Sequence, residues 1–204
     1  MNKVKAIKTL LSASEIYNTT LLNKNIIFVF EKNSNQVDYV ETKFSHVNFL
    51  HLTGVEPKGC NAHTFFLKCI SKKLSQNDFS FKDDGITEIK LSILINVLSG
   101  IVGFSKMIGD FSHNRIKLSS DKIVGGVNIC IGFVKSGNFY YPNTILKEDI
   151  RDITIENYRI IGISTKKFEE KTYTNILYNA KPTKKKSGYL PDEIIEIIRK
   201  IKKV

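Results

Sequence analysis

The sequence predicts an α+β fold in which helices come first along the chain and strands follow. Apolar residues recur at helical spacing in 3–22 and again in 87–101. After Gly103 the chain becomes rich in Ile, Val, Phe and Tyr, in runs separated by Gly, Asn, Ser and Asp. This change of pattern indicates a mainly helical first half and a mainly β-stranded second half.

The first half continues from its opening helix into a β-hairpin and two further helices. Ile26–Phe30 is a β-rich run, and Asn33–Asn35 is a turn that leads into a second strand near Val37–Thr42. Phe65–Leu74 is typical of a short helix. The helix over 87–101 is the stronger of the two, because its apolar residues cover one broad face.

The second half contains five β-rich runs. They are Phe104–Phe111, Lys122–Val134, Asn138–Tyr141, Tyr158–Ser164 and Thr172–Tyr178. Residues 135–138 read Lys-Ser-Gly-Asn, which is typical of a hairpin turn and therefore indicates an antiparallel meander. Gly125 and Gly126 fall inside a predicted strand, so a bulge or a close approach of the backbone to another group is expected there.

The chain divides into three segments on this interpretation. An N-terminal helix occupies 1–24, an α+β domain occupies 25–180, and a basic loop with a C-terminal helix occupies 181–204. The loop contains three consecutive lysines that are candidate RNA contacts, namely Lys184, Lys185 and Lys186. Pro191 begins the last helix, which has acidic residues in its first turn and lysines in its last, as the helix dipole favours.

The chain is strongly basic. Its 31 Lys and Arg residues against 20 Asp and Glu residues give a formal net charge of +11, and residues 166–204 hold 11 basic and five acidic residues. A positive field of this kind concentrates polyanions near the surface, which favours a nucleic acid as the partner. A lysine-rich, AT-biased proteome gives the same composition, so charge alone leaves both interpretations open.

Neither a membrane span nor a signal peptide is indicated by the sequence. The longest apolar stretch, Leu91–Phe104, is too short and contains Ser92, Asn96 and Ser99. Polar residues follow the N-terminal lysines at once, which leaves no apolar core for a signal peptide. The sequence therefore predicts a cytoplasmic protein that does not contact a membrane.

The cysteines indicate neither a disulfide framework nor a metal site. Their number is odd, so free thiols are expected at Cys60, Cys69 and Cys130. Cys60 and Cys69 form a cluster with His63, with His51 nearby, but the spacing matches no structural zinc pattern. The sequence also lacks a Walker-type phosphate loop, a dinucleotide-binding glycine motif and a serine nucleophile elbow. We therefore expect no metal and no cofactor, and chemistry carried by side chains alone.

Cleavage of RNA without a metal requires a base for the 2′-hydroxyl proton, an acid for the leaving 5′-oxygen, and positive charge for the phosphorane. Histidine suits the first two roles because its usual pKa is near 6.5. Of the four histidines, His51 is the best candidate, because a hydroxyl at Thr53 and flexible amides at Gly54 follow it. A histidine that caps a helix end is the alternative interpretation.

Further candidates for RNA contacts lie later in the chain. His113 lies in a polar turn beside Arg115 and could contact RNA. The alternative is that it is an ordinary solvent-exposed loop residue. One predicted strand ends at Lys166 and Lys167, and the next starts at Tyr173, so these side chains could flank one phosphate. The alternative is a hairpin on which these residues are simply exposed. Tyr141 belongs to an aromatic run of which one face could stack a base.

The order of these motifs resembles that of a known group of nucleases. The motifs are Asn48–Val55 with its His-Leu-Thr-Gly run, Phe66–Ser75, a helix that carries Lys90, Tyr141-Pro142, and Ile161–Lys166 followed by Tyr173. Together they cover about residues 25–180 and are similar to the fourth of the phage-associated families that are grouped with barnase, EndoU, colicin and RelE-like nucleases.

The resemblance implies a compact fold in which N-terminal helices pack on a four- to five-stranded antiparallel sheet. It also implies a metal-independent ribonuclease, often a toxin or effector of a phage or mobile element, with an inhibitor or antitoxin protein as a further partner. His51 and Thr53 match the family's motif, and Lys166 and Tyr173 match its later strand positions. No residue of the sequence is matched to the general-base carboxylate of barnase.

We therefore expect an endoribonuclease that cleaves single-stranded or tRNA-like RNA through attack by the 2′-hydroxyl. His51 would be the acid–base group, Lys166 would stabilise the phosphorane, and Thr53 and Tyr173 would orient the phosphate. A non-catalytic nucleic-acid-binding module or regulator is the second hypothesis. A third is a protein-interaction domain whose basic tail binds an acidic inhibitor, and it is compatible with the first.

Overall fold

The computed structural model of the chain describes residues 1–33, 36–112 and 118–180. The helices are α1 (Lys3–Thr20), α2 (His46–Thr53), α3 (Ala62–Ile70), α4 (Ile86–Ser99), α5 (Ile101–Phe104) and α6 (Ile150–Ile153). The strands are β1 (Lys24–Asn33), β2 (Gln36–Phe44), β3 (Glu56–Pro57), β4 (Phe79–Ser80), β5 (Met107–Phe111), β6 (Lys122–Gly125), β7 (Cys130–Ser136), β8 (Phe139–Leu146), β9 (Thr154–Lys167) and β10 (Asn175–Asn179).

Asparagine side chains begin two of the helices. Asn2 Oδ1 accepts the main-chain N–H of Lys5 at 2.8 Å at the start of α1, and Asn61 Oδ1 accepts that of Thr64 at 2.9 Å at the start of α3. The helices α1 and α4 lie close to their predicted ranges. None of the helices in the described part of the chain has the length and apolar character required to cross a membrane.

Seven strands form a closed barrel in the order β1-β2-β8-β7-β6-β5-β9, and the pairing of β9 with β1 closes the ring. The long strand β9 has two partners along one edge. β5 pairs with its first part, and β10 pairs with its last part. Neighbouring strands are antiparallel except β2 and β8, which pair in parallel at Thr42 and Tyr140.

The predicted four- to five-stranded sheet with N-terminal helices packed on it is wrong. The N-terminal hairpin β1–β2 forms part of the barrel wall, and Lys24–Glu31 pairs with 159–167 near the other end of the chain. Local periodicity cannot reveal a pairing between segments so distant in sequence. The single strand predicted over Lys122–Val134 is also two strands, because the chain turns back after β6 and the Gly126 N–H donates to the carbonyl of Ile129 at 3.0 Å.

One apolar core fills the barrel and continues into the helical layer. From β1 it takes the alternate residues Ile26, Phe28 and Phe30, and from the helices it takes residues such as Leu10 and Leu94. The side chains between the alternate residues of β1 therefore point away from this core, as the pleat of a strand requires. The helical layer and the outer face of the barrel are consequently two different environments.

Smaller clusters cover parts of the outer face. Ile27 and Val29 of β1 pack there with Ile161 of β9 and with Tyr173, which follows β9. A second cluster is formed by the buried residues Phe111, Ile123, Cys130, Ile150 and Ile153, two of which belong to α6. The first cluster covers the part of the outer face on which Lys166 and Tyr173 lie.

Candidate functional site

The helix α2 carries His51 in its last turn. It begins at Ser45, whose main-chain N–H and hydroxyl donate to Asn48 Oδ1 at 2.9 and 2.7 Å. Asn48 Nδ2 donates to the carbonyl of Pro142 at 3.3 Å, which ties the start of α2 to β8. Phe49 is fully buried in the main core, and His51 is exposed on another side of the helix.

Side chains of α4 close the C-terminal end of α2. Lys90 Nζ donates to the carbonyl of His51 at 3.2 Å, and Thr87 Oγ1 donates to the carbonyl of Gly54 at 2.7 Å. Gly54 has φ of 71°, and a Cβ at this position would lie 2.7 Å from Lys90 Cδ. Glycine is thus required both by the left-handed backbone and by the close approach of Lys90.

Among the described residues, the hydroxyl of Thr53 forms hydrogen bonds only with the nearby backbone. It is fully buried, and its Oγ1 donates to the carbonyl of Leu50 at 2.7 Å and accepts the N–H of Val55 at 3.3 Å. These contacts stabilise the end of α2. The role of Thr53 in orienting a phosphate stays a prediction from the sequence.

The pKa values of His51 and Lys90 are both lowered at this helix end. Burial lowers the pKa of Lys90 to about 8, the positive charge of Lys82 acts in the same direction, and Asp84 opposes it. Partial burial, followed by the charges of Lys90 and Lys82, lowers the pKa of His51. At pH 7 the imidazole is therefore mostly neutral and can accept a proton, whereas Lys90 is mostly an ammonium that can donate one.

Lys90 makes no ion pair with a carboxylate among the residues that the structure describes. Only 9% of the residue is exposed, so the desolvation of its ammonium is offset mainly by the carbonyl of His51. A buried charge without a counter-charge is unfavourable for stability, and strongly perturbed titratable groups are concentrated at functional sites. An anion at this helix end would neutralise the charge.

A second polar cluster lies on the outer face of the barrel, around the carboxylate of Glu41. Glu41 Oε1 accepts a hydrogen bond from Tyr173 OH at 2.5 Å and one from Asn25 Nδ2 at 2.6 Å. Lys166 Nζ lies 3.6 Å from the same oxygen and 4.8 Å from the centroid of the Tyr173 ring. The strands β1, β2 and β9 thus bring Lys166 and Tyr173 together, as their sequence positions suggested.

Burial determines the chemistry of the Glu41 cluster. It raises the pKa of Tyr173 well above its usual value, and the negative charge of Glu41 acts in the same direction. The phenol therefore stays protonated and donates to the carboxylate. Asn25 Oδ1 is buried and has no hydrogen-bond partner among the described residues. Two hydrogen bonds and the ammonium of Lys166 thus converge on one oxygen of Glu41.

The structure does not bring His51 together with Lys166 and Tyr173. Val40 and Phe44 of β2 point into the main core that the helices share, whereas Glu41, between them, points to the outer face with Lys166. His51 belongs to the helical layer through its contact with Lys90. No hydrogen bond or ion pair between described residues links His51 to the Glu41 cluster.

The predicted RNA contacts are described only in part. Lys167 is exposed at the end of β9, and its N–H donates to Glu170 Oε2 at 2.8 Å. Tyr141 is half-buried in β8 and pairs with Val134 of β7. The other candidates lie outside the described residues: His113, Arg115, Lys184, Lys185 and Lys186.

Glu41, Asn25 and Lys90 were not predicted to be site residues from the sequence. For Lys90 a signal existed, because it shares a helix face with Thr87 and Leu94, both fully buried. A lysine at a core position of an amphipathic helix is unusual. For Glu41 and Asn25 the signal was weaker, since an acidic or amide residue in a strand is ordinary on an exposed face.

The Cys/His cluster of the sequence does not form a metal centre in the described part of the chain. Cys60, Cys69 and Cys130 are free thiols, and no three His, Cys, Asp or Glu side chains among the described residues converge as metal ligands do. Burial raises the pKa of Cys69 to about 12, which disfavours its thiolate. His63 instead packs against His46, with the ring centroids 4.1 Å apart.

Comparison with known proteins tests the resemblance that the motifs indicated. Searches of curated proteins and of solved structures give no match. The profile of the family described as phage-Barnase-EndoU-ColicinE5/D-RelE like nuclease4 matches residues 9–182. The match covers the helical layer from α1 onwards and the whole barrel, and a nuclease family implies a nucleic-acid substrate. The resemblance is confirmed, and the chain belongs to this family of phage-associated nuclease-like proteins.

Proposed function

We propose that the chain is a metal-independent endoribonuclease in which His51 and Lys90 form the catalytic pair. The observation that carries the proposal is an exposed imidazole at a helix end that is closed by a buried ammonium without a carboxylate partner among the described residues. Membership of a nuclease family supports a nucleic-acid substrate. RNA is the substrate that side-chain acid–base chemistry suits, because RNA carries its own nucleophile.

The proposed reaction is a transphosphorylation. The neutral imidazole of His51 accepts the proton of a 2′-hydroxyl, and the 2′-oxygen attacks the adjacent phosphorus. The bond from phosphorus to the 5′-oxygen breaks as this oxygen takes a proton from the ammonium of Lys90. The products are a 2′,3′-cyclic phosphate and a 5′-hydroxyl, and the charges of Lys82 and Lys90 stabilise the phosphorane before the proton is transferred.

The lowered pKa values support these roles. A general base must be unprotonated and a general acid protonated at the working pH. The pKa of His51 lies below its usual value and that of Lys90 is about 8, so near pH 7 both groups are in the required state. An ordinary lysine, with a pKa near 10.4, would release its proton much less readily.

The sequence alone suggests another version of this proposal. In that version the catalytic roles belong to Lys166, Tyr173 and Thr53. In that version Lys166 stabilises the phosphorane, and the hydroxyls of Tyr173 and Thr53 orient the phosphate. In the present proposal Lys90 and Lys82 supply the positive charge, because they lie beside the helix end that carries His51. Variants of both sets distinguish the two versions.

The test uses the full chain and a short, labelled single-stranded RNA in the presence of EDTA. Fragments with 2′,3′-cyclic phosphate ends, identified by mass spectrometry, are expected. DNA of the same sequence is the matched control and should stay intact, because it lacks the 2′-hydroxyl. Cleavage of the DNA, or loss of RNA cleavage on addition of EDTA, would contradict the mechanism. Binding of RNA without fragments would favour the non-catalytic binding module.

Variants test the catalytic pair. We expect His51→Ala and Lys90→Met each to reduce the rate by about 10²- to 10⁴-fold. His63→Ala and Lys58→Met change an exposed histidine and an exposed lysine elsewhere and should leave the rate within about twofold. If Lys166→Met abolishes cleavage and His51→Ala does not, the catalytic centre lies on the outer face and the proposal is wrong.

We further propose that cleavage makes the chain a toxin or effector of a phage or mobile element, restrained by an inhibitor or antitoxin protein. Family membership supports the phage association. Expression of the chain in a bacterial host should arrest growth, and His51→Ala expressed at the same level should not. Equal growth arrest by both proteins would separate toxicity from the proposed reaction.

A further inference from the structure

Three polar side chains lie in one row across the outer face of the barrel. Asn25 of β1 is directly opposite Lys43 of β2 and Lys166 of β9. Residues in register on neighbouring strands share a face, so the two lysines flank the amide, about two strand spacings or roughly 10 Å apart. The row places two ammonium groups on one surface outside the helical layer.

The ammonium of Lys43 lies close to two aromatic rings. Its Nζ is 3.5 Å from the ring centroid of Phe139 and 5.8 Å from that of Phe168. Phe168 follows β9 by one residue, which puts it on the same face as Lys166 by strand alternation. Its side chain is an exposed large apolar group, with 41% of the residue accessible to solvent.

The segment that carries Phe168 is attached to the barrel at both ends. The N–H of Phe168 donates to the carbonyl of Asn23 at 3.0 Å, and the hydroxyl of Tyr173 donates to Glu41 on β2. Because the main chain at Phe168 is already held in place, stacking of a ligand orders only the side chain. Phe168 is therefore a prepared surface and not part of a free loop.

The charges on this face suit an anion. The Glu41 carboxylate accepts two hydrogen bonds and is paired with Lys166, so the charges of these two residues largely offset each other. Lys43 makes no ion pair with a carboxylate among the described residues. The whole chain carries a net charge of +11, which favours polyanions.

We propose that this outer face binds single-stranded nucleic acid, with a base stacked on Phe168 and the adjacent phosphate held by Lys43. Alternation of an aromatic ring with ammonium groups is the arrangement by which proteins hold single strands, because every base has a face that can stack. In a duplex the bases stack on one another and are not available to Phe168. The surface is separate from the catalytic pair proposed above.

Fluorescence anisotropy with labelled ten-nucleotide oligothymidylate and 2′-O-methyl oligouridylate tests the surface. Phe168→Ala should weaken binding by about fivefold or more, the effect of removing one base–aromatic stack. Phe168→Trp should bind like the wild type, whereas Phe168→Leu, which keeps apolar bulk without a ring, should bind like Phe168→Ala. Lys43→Met should weaken binding and reduce the slope of log affinity against log salt by about 1.

Ile155→Ala, at an exposed apolar residue elsewhere on β9, and Lys58→Met are the matched controls and should bind like the wild type. Neither oligonucleotide carries a 2′-hydroxyl, so the result does not depend on cleavage and can succeed or fail independently of the catalytic proposal. Unchanged affinity in Phe168→Leu and Lys43→Met would overturn the proposal. Binding of a ten-base-pair duplex as tightly as the single strand would overturn it as well.

Discussion

The ammonium of Lys90 lies 3.2 Å from the carbonyl oxygen of His51, so a buried lysine of α4 closes the last turn of the helix that carries the imidazole. The same group satisfies a helix carbonyl and lowers the pKa of the histidine above it. Capping and electrostatics at this helix end therefore depend on one side chain.

Gly54→Ala should destabilise the protein more than a left-handed backbone alone explains. Gly137 also has a positive φ, but a Cβ there meets nothing within 4 Å, whereas a Cβ at Gly54 meets Lys90. We expect a loss of about 1–2 kcal/mol in Gly137→Ala and a further 1–3 kcal/mol in Gly54→Ala, measured by urea unfolding. Equal losses in both variants would show that the approach of Lys90 is unimportant.

The free energy of unfolding should rise between about pH 8 and pH 10 because of Lys90. Its pKa is about 8 in the folded chain and near 10.4 in the unfolded chain, so in this window the unfolded state binds more protons. Stability from this group is therefore fully present above pH 10 and is lost as the pH falls through 8. The rise should amount to roughly 1–3 kcal/mol and be absent from Lys90→Met, measured by urea unfolding at each pH.

The rate of RNA cleavage should have a bell-shaped dependence on pH. Protonation of His51 removes the base as the pH falls through its lowered pKa, and loss of the proton from Lys90 removes the acid above about pH 8. Because the charge of Lys82 lowers both pKa values, Lys82→Met should move both limbs of kcat/KM to higher pH. Lys58→Met is the control, and limbs that stay in place in Lys82→Met would contradict the assignment.

The Glu41 cluster should contribute to stability mainly through burial. Lys166 and Glu41 are about nine-tenths buried, so Lys166→Met leaves a buried carboxylate without its cation and should reduce the free energy of unfolding by about 3 kcal/mol. Lys32 and Asp38 form a pair at the same 3.6 Å separation that is exposed, and Lys32→Ala should change stability by less than about 1 kcal/mol.

The double variant Glu41→Gln with Lys166→Met, measured by the same urea unfolding, tests whether this loss comes from the buried charge. It removes the buried carboxylate together with its cation, and we expect it to recover much of the loss seen in Lys166→Met. If the double variant is no more stable than the single one, the loss comes from packing and not from an uncompensated charge.

The local part of the fold was predictable from spacing. Periodic apolar residues located α1 and α4, and the β-rich runs around 33–35 located the hairpin β1–β2. The closure of the barrel was not predictable, because it depends on the pairing of β1 with β9. Each of these strands has the same alternation whether it lies in an open sheet or in a closed ring.

The candidate site residues were likewise predictable only in part. The His-Leu-Thr-Gly run made His51 a candidate and indicated the family, and the predicted strand ends made Lys166 and Tyr173 candidates. Residue types at such positions can be read directly from the sequence. Glu41 was not identified as their partner, because it is 125 residues from Lys166 and its role depends on which face of β2 meets β1 and β9.

The amino-acid sequence by itself determined the helices α1 and α4, the hairpin β1–β2, the positive charge and the family of this protein. Only the tertiary structure decided that His51 is joined to Lys90 and that Lys166 and Tyr173 are joined to Glu41 on another face. The physical reason is that side-chain spacing sets the face of a residue within its own helix or strand, while long-range strand pairing and core packing decide which faces meet.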